Sequence, residues 1–128
     1  MILKPGHRGL ARISKAAGYS WQGIKQCYKS EAAFRQELIL LAFLTPISVW
    51  LSDNAVEFLL LIGSVILLLV VELLNSAIEM VVDRQGQEWN EFSMHAKDMG
   101  SAAVFVMIGL CLIVWSTIII SHLNWTLF

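Results

Sequence analysis

The stretch from Glu72 to Gly100 constrains the fold of this chain most, because it joins two of its most apolar runs. The run before it, Phe58 to Val71, carries no charged residue. A charge at the centre of a bilayer costs about 2.5–3.5 kcal/mol, so acids in a membrane helix usually have a function. On a helix, five polar side chains share a sector of roughly 100°: Glu72, Asn75, Ser76, Glu79 and Asp83. The alternative is that Glu72 and Glu79 are paired inside a bundle for packing specificity.

Composition and charge distribution indicate a membrane protein. Of the 128 residues, 57% are hydrophobic, which is too apolar for a soluble domain of this size. The net charge of −1 gives no indication of a nucleic-acid partner. All nine Lys and Arg residues lie before the first apolar run or between the second and third. Because Lys and Arg in short loops mark the cytoplasmic side, we predict three crossings, with the amino terminus and the 83–98 loop in the cytoplasm and the carboxyl terminus in the periplasm.

The apolar pattern predicts an all-α integral membrane protein with a single domain over residues 1–128. From Leu10 to Tyr28, apolar residues recur every three or four positions with basic residues between them. This is typical of an amphipathic helix on a membrane surface, which we place at about residues 10–30; the alternative is an ordinary bundle helix. We place the membrane spans at about residues 32–51, 55–82 and 100–120.

Charged side chains from three segments are predicted at one level, the inner membrane face. Glu31 ends the surface helix, Glu79 leaves the second span, and Lys97 and Asp98 enter the third. Acids at this level suit Mg²⁺, which is held by one or two carboxylates, phosphate oxygens and water, and Lys97 suits phosphate. The deeper Glu72 suits a general base. The set predicts phosphoryl transfer from a water-soluble donor to an acceptor in the membrane, with a cation pathway or proton relay as the alternative.

Four segments resemble the small prokaryotic diacylglycerol kinase family of integral membrane lipid kinases. They read KAAGYSW (15–21), EAAFRQE (31–37), ELLNSAIEMVVDR (72–84) and AKDMGSAAV (96–104). The first two are more similar to the Gram-negative diacylglycerol kinases than to the undecaprenol kinases of Gram-positive bacteria. The resemblance implies three membrane helices and a surface helix per chain, and a homotrimer with active sites shared between protomers. It also implies ATP and Mg²⁺, with phosphatidic acid as the product.

The resemblance also implies roles for individual residues. Glu72 matches the base that takes the proton of the lipid hydroxyl, and Glu31 and Glu79 match the metal ligands. The predicted ATP site contains Arg12, Tyr19, Glu31, Glu79, Glu88, Trp89, Asn90, Lys97 and Asp98. The predicted lipid-substrate site contains Arg12, Trp21, Arg35, Glu72 and Ser101. For Trp21 the alternative is an interfacial anchor.

We therefore predict an ATP-dependent diacylglycerol kinase of the bacterial inner membrane. The alternatives are an undecaprenol kinase and a non-enzymatic small membrane protein such as a cation pathway. Where relatives often carry Tyr-His and Gly-Arg, this chain has Trp89-Asn90 and Met94-His95. His122 is expected to be a solvated residue near the carboxyl terminus.

The predicted topology is testable by cysteine labelling. A membrane-impermeant maleimide added from outside should modify a cysteine at Asn54 and should not reach one at Gln87, because the basic residues place only the second on the cytoplasmic side. The opposite labelling pattern would exclude the three-span arrangement.

Overall fold

The computed structural model describes residues 9–123, which form four α-helices and no strand. Helix α1 covers Leu10–Ser30, α2 Ala32–Leu51, α3 Ala55–Arg84 and α4 Glu91–Leu123. The prediction of an all-α chain is confirmed. Two of the basic residues used to predict the topology, Lys4 and Arg8, lie outside the described range.

Helices α2, α3 and α4 are each long and apolar enough to cross a membrane, with 20, 30 and 33 residues. About 20 residues suffice for the hydrocarbon core, so the prediction of three candidate spans is confirmed. Large apolar side chains lie exposed on the outside of the bundle, among them Trp50 at 83% and Phe105 at 78% exposure. Each Å² of such surface costs about 25 cal/mol in water, a cost that is absent in lipid. The outer surface of the bundle therefore fits a bilayer.

Helix α3 is the centre of the bundle and packs against each of the other three helices, most extensively against α4. Its buried residues recur at helical steps, which places them on one side of the helix. They are Leu61, Ile62, Ser64, Val65, Leu68, Leu69, Glu72 and Ser76. This buried stripe is mainly apolar in its first half and becomes polar toward the carboxyl-terminal end, where Glu72 and Ser76 lie.

A side-chain cap precedes α3 and a glycine turn follows it. Before α3, the Asn54 Oδ1 accepts from the Glu57 N–H at 2.9 Å, and the Asp53 N–H donates to the Glu57 Oε2 at 2.8 Å. This reciprocal arrangement satisfies two free donors at the helix start, as in a capping box. After α3, Gly86 adopts the left-handed conformation with φ 109°, which glycine accepts without steric cost. The chain can therefore turn sharply at the point where α3 ends.

Helix α4 begins earlier than the predicted span at residues 100–120. The Asn90 Oδ1 accepts a hydrogen bond from the Ser93 N–H at 3.1 Å, which caps the helix at its amino terminus. Helix formation therefore starts at Glu91, in a polar segment that the hydropathy pattern does not mark. Lys97 and Asp98 thus lie on a rigid helix and not on a loop.

His122 is not a solvated residue, so that prediction is wrong. Its side chain is only 24% exposed, with Nε2 3.1 Å from the Glu57 Oε2 and Nδ1 3.5 Å from the Asp53 Oδ2. The reason is that α4 continues to Leu123 and carries the ring back to the start of α3. Within residues 9–123, Asp53, Glu57 and His122 form the one group of three potential metal-ligating residues that converge within 4.8 Å. This group lies at the opposite end of α3 from Glu79.

Helix α1 contacts α3 through Cys27, which is 4% exposed and whose Sγ donates to the Ser76 Oγ at 3.5 Å. Cys27 packs in one apolar cluster with Phe34 of α2 and Leu69 of α3. Burial raises the pKa of the Cys27 thiol; the hydrogen bond to Ser76 acts in the opposite direction, and the negative charge of Glu31 adds to the rise. The thiol therefore reports on whether α1 lies against α3.

This packing predicts slow alkylation of Cys27. In a Cys111→Ala background, iodoacetamide at about pH 8 should react with Cys27 far more slowly than with a cysteine placed at the exposed Gln22, because alkylation requires an accessible thiolate. Because its pKa is raised, Cys27 becomes a thiolate at higher pH than a cysteine at position 22. The alkylation rate of Cys27 should therefore still increase with pH where the alkylation rate at position 22 has become constant. Equal rates at the two positions would contradict the packing of α1 on α3.

Candidate active site

The polar end of the α3 stripe faces the junction between α1 and α2. Glu72 is 6% exposed, and Glu31 and Glu79 are half-buried. Glu31 and Glu79 both lie close enough to Glu72 for their charges to act on it. The structure therefore brings together the three carboxylates that the sequence predicts as base and metal ligands.

Three buried oxygen atoms accept no hydrogen bond from any residue in the described range. They are Glu37 Oε2, Glu72 Oε2 and Asn75 Oδ1. Glu37 lies on α2, close enough to Glu72 for the two carboxylates to repel each other. Buried polar atoms are nearly always hydrogen-bonded, so an orphaned set requires an explanation. A bound cation, or a donor on a substrate, would satisfy the two carboxylate oxygens, whereas the Asn75 oxygen faces Gly100 of α4.

Glu37 and Asn75 are not among the predicted site residues. For Asn75 a signal exists, since it shares the polar helical sector with Glu72 and Glu79. For Glu37 no pattern within its own helix marks the position. Its nearness to Glu72 results from how α2 packs on α3, which a single sequence does not show.

Lys97 forms an ion pair with Asp83, with Nζ 2.6 Å from Oδ1, across the ends of α4 and α3. The charge of Glu79 also acts on Lys97. The Lys97 and Asp83 side chains are 45% and 65% exposed, and a solvent-exposed ion pair contributes little to stability. The ammonium group can therefore exchange Asp83 for another anion at little cost. The neighbouring Asp98 is exposed and forms no ion pair within residues 9–123.

The connection between α3 and α4 lines an open cavity of about 620 Å³. Four residues of the predicted ATP site line it: Glu88, Trp89, Asn90 and Lys97. Trp89 is 77% exposed, so its ring is accessible for stacking. The cavity therefore lies beside the Lys97–Asp83 pair at the end of α3 nearest Glu79.

The predicted residues of α1 lie on exposed positions of that helix. The side chains of Arg12 and Tyr19 form no hydrogen bond or ion pair with any part of the chain that the structure describes. The Lys25 Nζ lies 5.6 Å from the centroid of the Trp21 ring. Within one chain, Arg12, Tyr19 and Trp21 are not brought into contact with the three carboxylates. A second cavity, of about 390 Å³ and mainly apolar, lies between α1 and α3, next to their contact at Cys27.

Arg35 and Ser101 complete the predicted set. The Arg35 Nη1 donates to the Tyr28 carbonyl at 2.6 Å and to the Lys29 carbonyl at 3.1 Å. These bonds satisfy carbonyls at the end of α1 that have no partner within the helix. Arg35 thus stabilises the junction that holds Glu31. Ser101 is exposed on α4.

Comparison with known proteins finds relatives that match most of this chain. A model of the prokaryotic diacylglycerol kinase family matches residues 18–119. The diacylglycerol kinase of Escherichia coli K12 is 51% identical over 114 residues, which cover 89% of this chain and 93% of that protein. The diacylglycerol kinase of Haemophilus influenzae is 45% identical over 111 residues, which cover 87% and 94%. That of Pseudomonas aeruginosa is 45% identical over 115 residues, which cover 90% and 94%.

The family match begins within α1 and ends within α4, and so includes the three carboxylates and the cavity beside Lys97. The chain belongs to the prokaryotic diacylglycerol kinase family.

Proposed function

We propose that this protein transfers the γ-phosphoryl group of ATP to diacylglycerol and forms phosphatidic acid. The observation that carries the proposal is the buried, unpartnered Glu72 oxygen beside Glu31 and Glu79, on a helix apolar enough to cross a membrane. A base at this place reaches an acceptor dissolved in the bilayer, while the cavity beside Lys97 is open to a water-soluble donor. Relatives named diacylglycerol kinase indicate which acceptor it is.

Glu72 acts as the general base in this proposal. The hydroxyl oxygen of diacylglycerol attacks the γ-phosphorus, and its proton passes to the Glu72 carboxylate. The bond between the γ-phosphorus and the bridging oxygen breaks, and ADP leaves with that electron pair. Because Glu72 is 6% exposed, bulk water has little access to the reacting group. The burial thus favours transfer to the lipid over hydrolysis of ATP.

Glu31 and Glu79 are the proposed ligands of Mg²⁺. Their donor chemistry fits, because Mg²⁺ prefers carboxylate oxygens and usually shares them with substrate phosphates. The negative charges of Glu31 and Glu79 both repel that of Glu72. This repulsion is a second reason to expect a cation between them. When bound, Mg²⁺ would neutralise charge on the phosphate oxygens. Helix α3 keeps metal binding and proton transfer apart, since Glu79 lies about two turns from Glu72 along the helix.

The remaining predicted residues position the substrates. Lys97 and the segment 88–90, which line the cavity after α3, bind ATP there, together with the neighbouring Asp98. We also propose a homotrimer with shared active sites in the bacterial inner membrane, with the 83–98 segment in the cytoplasm. Sharing between protomers is supported by Arg12 and Tyr19, which lie exposed on α1 and apart from the carboxylates of their own chain. Trp21, Arg35 and Ser101 are the proposed neighbours of the lipid.

The test of this function is the identity of the lipid that receives phosphate. The purified protein is given ATP labelled at the γ-phosphate, Mg²⁺, and vesicles that contain either diacylglycerol or undecaprenol. We expect labelled phosphatidic acid in the first vesicles and no labelled lipid in the second. Labelled undecaprenyl phosphate would make the protein a polyprenol kinase, and the absence of any labelled lipid would contradict a lipid kinase.

The metal assignment predicts the effect of removing either ligand. Glu31→Gln and Glu79→Gln should each lower kcat by about a hundredfold or more, because a carboxamide lacks the negative charge that the cation requires. The matched control is Glu91→Gln, which removes an exposed acid at the start of α4 and should leave kcat unchanged. Circular dichroism and thermal unfolding check that the fold is retained. Activity near wild type in either variant would remove that residue from the metal site.

The assignment of the base predicts a different kinetic pattern. Glu72→Gln should retain affinity for ATP and lose most of kcat, because positioning and charge stabilisation by the other residues persist while the proton acceptor is gone. Nucleotide affinity is measured by equilibrium binding and kcat at saturating ATP and lipid. If Glu72→Gln instead lost ATP binding and kept kcat at saturation, the residue would belong to the nucleotide site.

A further inference from the structure

Gly100 is where α4 makes an unusually close approach to α3. A Cβ atom at residue 100 would overlap the Asn75 Oδ1 and would lie 3.3 Å from the Asn75 Cγ and 3.8 Å from the Ile78 Cδ1. At Gly109 on the same helix, an added Cβ would meet nothing within 4 Å. Gly100 is therefore required by its neighbour, whereas Gly109 is not.

At this contact the oxygen is the end of the Asn75 amide that faces Gly100. The amide oxygen occupies the space that a side chain at residue 100 would take, and it is buried without a hydrogen-bond partner in the described range. The amide nitrogen is farther from Gly100 than either the oxygen or Cγ. Because the carboxamide is planar, with its oxygen and nitrogen on opposite sides, its two N–H donors point away from Gly100.

Asn75 lies three residues after Glu72 and four before Glu79, so all three side chains share one face of α3. A phosphoryl group in transfer between ATP and a lipid hydroxyl at Glu72 would pass over this face. Its oxygens carry negative charge, which N–H donors stabilise and an amide oxygen would repel. The orientation of the Asn75 amide therefore decides whether this residue assists the reaction or opposes it.

We propose that Gly100 is a positioning residue for phosphoryl transfer, and this proposal rests on the function proposed above. The absence of a side chain at residue 100 lets α4 hold the Asn75 oxygen, which leaves the N–H donors for the transferred phosphoryl group. A methyl group at this position would displace the amide and misalign the donors. Gly100 acts through Asn75 and does not itself touch substrate.

The test is a double-mutant cycle with Gly100→Ala, Asn75→Ala and the combined variant, and with Gly109→Ala as the matched control. The readouts are kcat and KM for ATP with diacylglycerol as acceptor, and the thermal unfolding temperature. Gly100→Ala and Asn75→Ala should each lower kcat by about a hundredfold. Because both changes remove the same interaction, the double variant should be no slower than Asn75→Ala alone. Gly109→Ala should stay within about twofold of the wild type.

Two results would overturn the proposal: wild-type kcat in Gly100→Ala, or a double variant slowed by about ten-thousandfold, the product of the single effects. If Gly100→Ala does not fold, the double variant replaces it in the test, because Asn75→Ala removes the amide that the new methyl group would overlap. We expect the double variant to fold, and its kcat relative to that of Asn75→Ala then decides whether Gly100 acts through Asn75. If the wild type transfers no phosphate to diacylglycerol, the proposed function fails by itself. Unfolding temperatures then still test the contact, which predicts that Asn75→Ala restores the stability lost in Gly100→Ala.

Discussion

The buried carboxylate of Glu72 is the constraint on which the rest of this structure depends. It lies on the face of α3 that packs against the other helices, and one of its oxygens has no hydrogen-bond partner within residues 9–123. A membrane helix retains such a group at a cost of a few kcal/mol. Two further carboxylates nearby, Glu31 and Glu79, increase that cost because their charges repel it. The proposed site for a cation and a phosphorylated nucleotide would explain why the acids are close together, because bound cations reverse the local electrostatics.

The rest of the chain positions the groups around this carboxylate by short-range devices. A single residue separates α1 from α2, and Arg35 caps the end of α1, so Glu31 is held at the junction of these two helices. On the other side, the early start of α4 places Lys97 on a helix, and Gly100 lets that helix lie against Asn75. Rigid elements and not flexible loops therefore hold most of the site, as the precise alignment of phosphoryl transfer requires.

Much of this arrangement could be predicted from the sequence, because it depends on single helices and on depth in a membrane. The lengths of the apolar runs predict the spans, and the helical phase of Glu72 and Glu79 places both on one face. The position of Glu37 beside Glu72 and the approach of α4 at Gly100 depend on how helices pack, which one sequence does not reveal. The prediction for His122 was wrong for a related reason, since the ring meets Asp53 and Glu57 only because α4 continues to Leu123.

The central claim is that Glu31 and Glu72 belong to one site, and a crosslinking measurement tests it most directly. Cysteines at positions 31 and 72, in a chain with Cys27→Ser and Cys111→Ala, are treated in membranes with a short bifunctional maleimide, and the linked peptides are identified by mass spectrometry. The control pair combines position 31 with position 74, where Leu74 is 61% exposed on another face of α3. The structure predicts efficient linkage between 31 and 72 and little between 31 and 74. Efficient linkage of the control pair alone would contradict it.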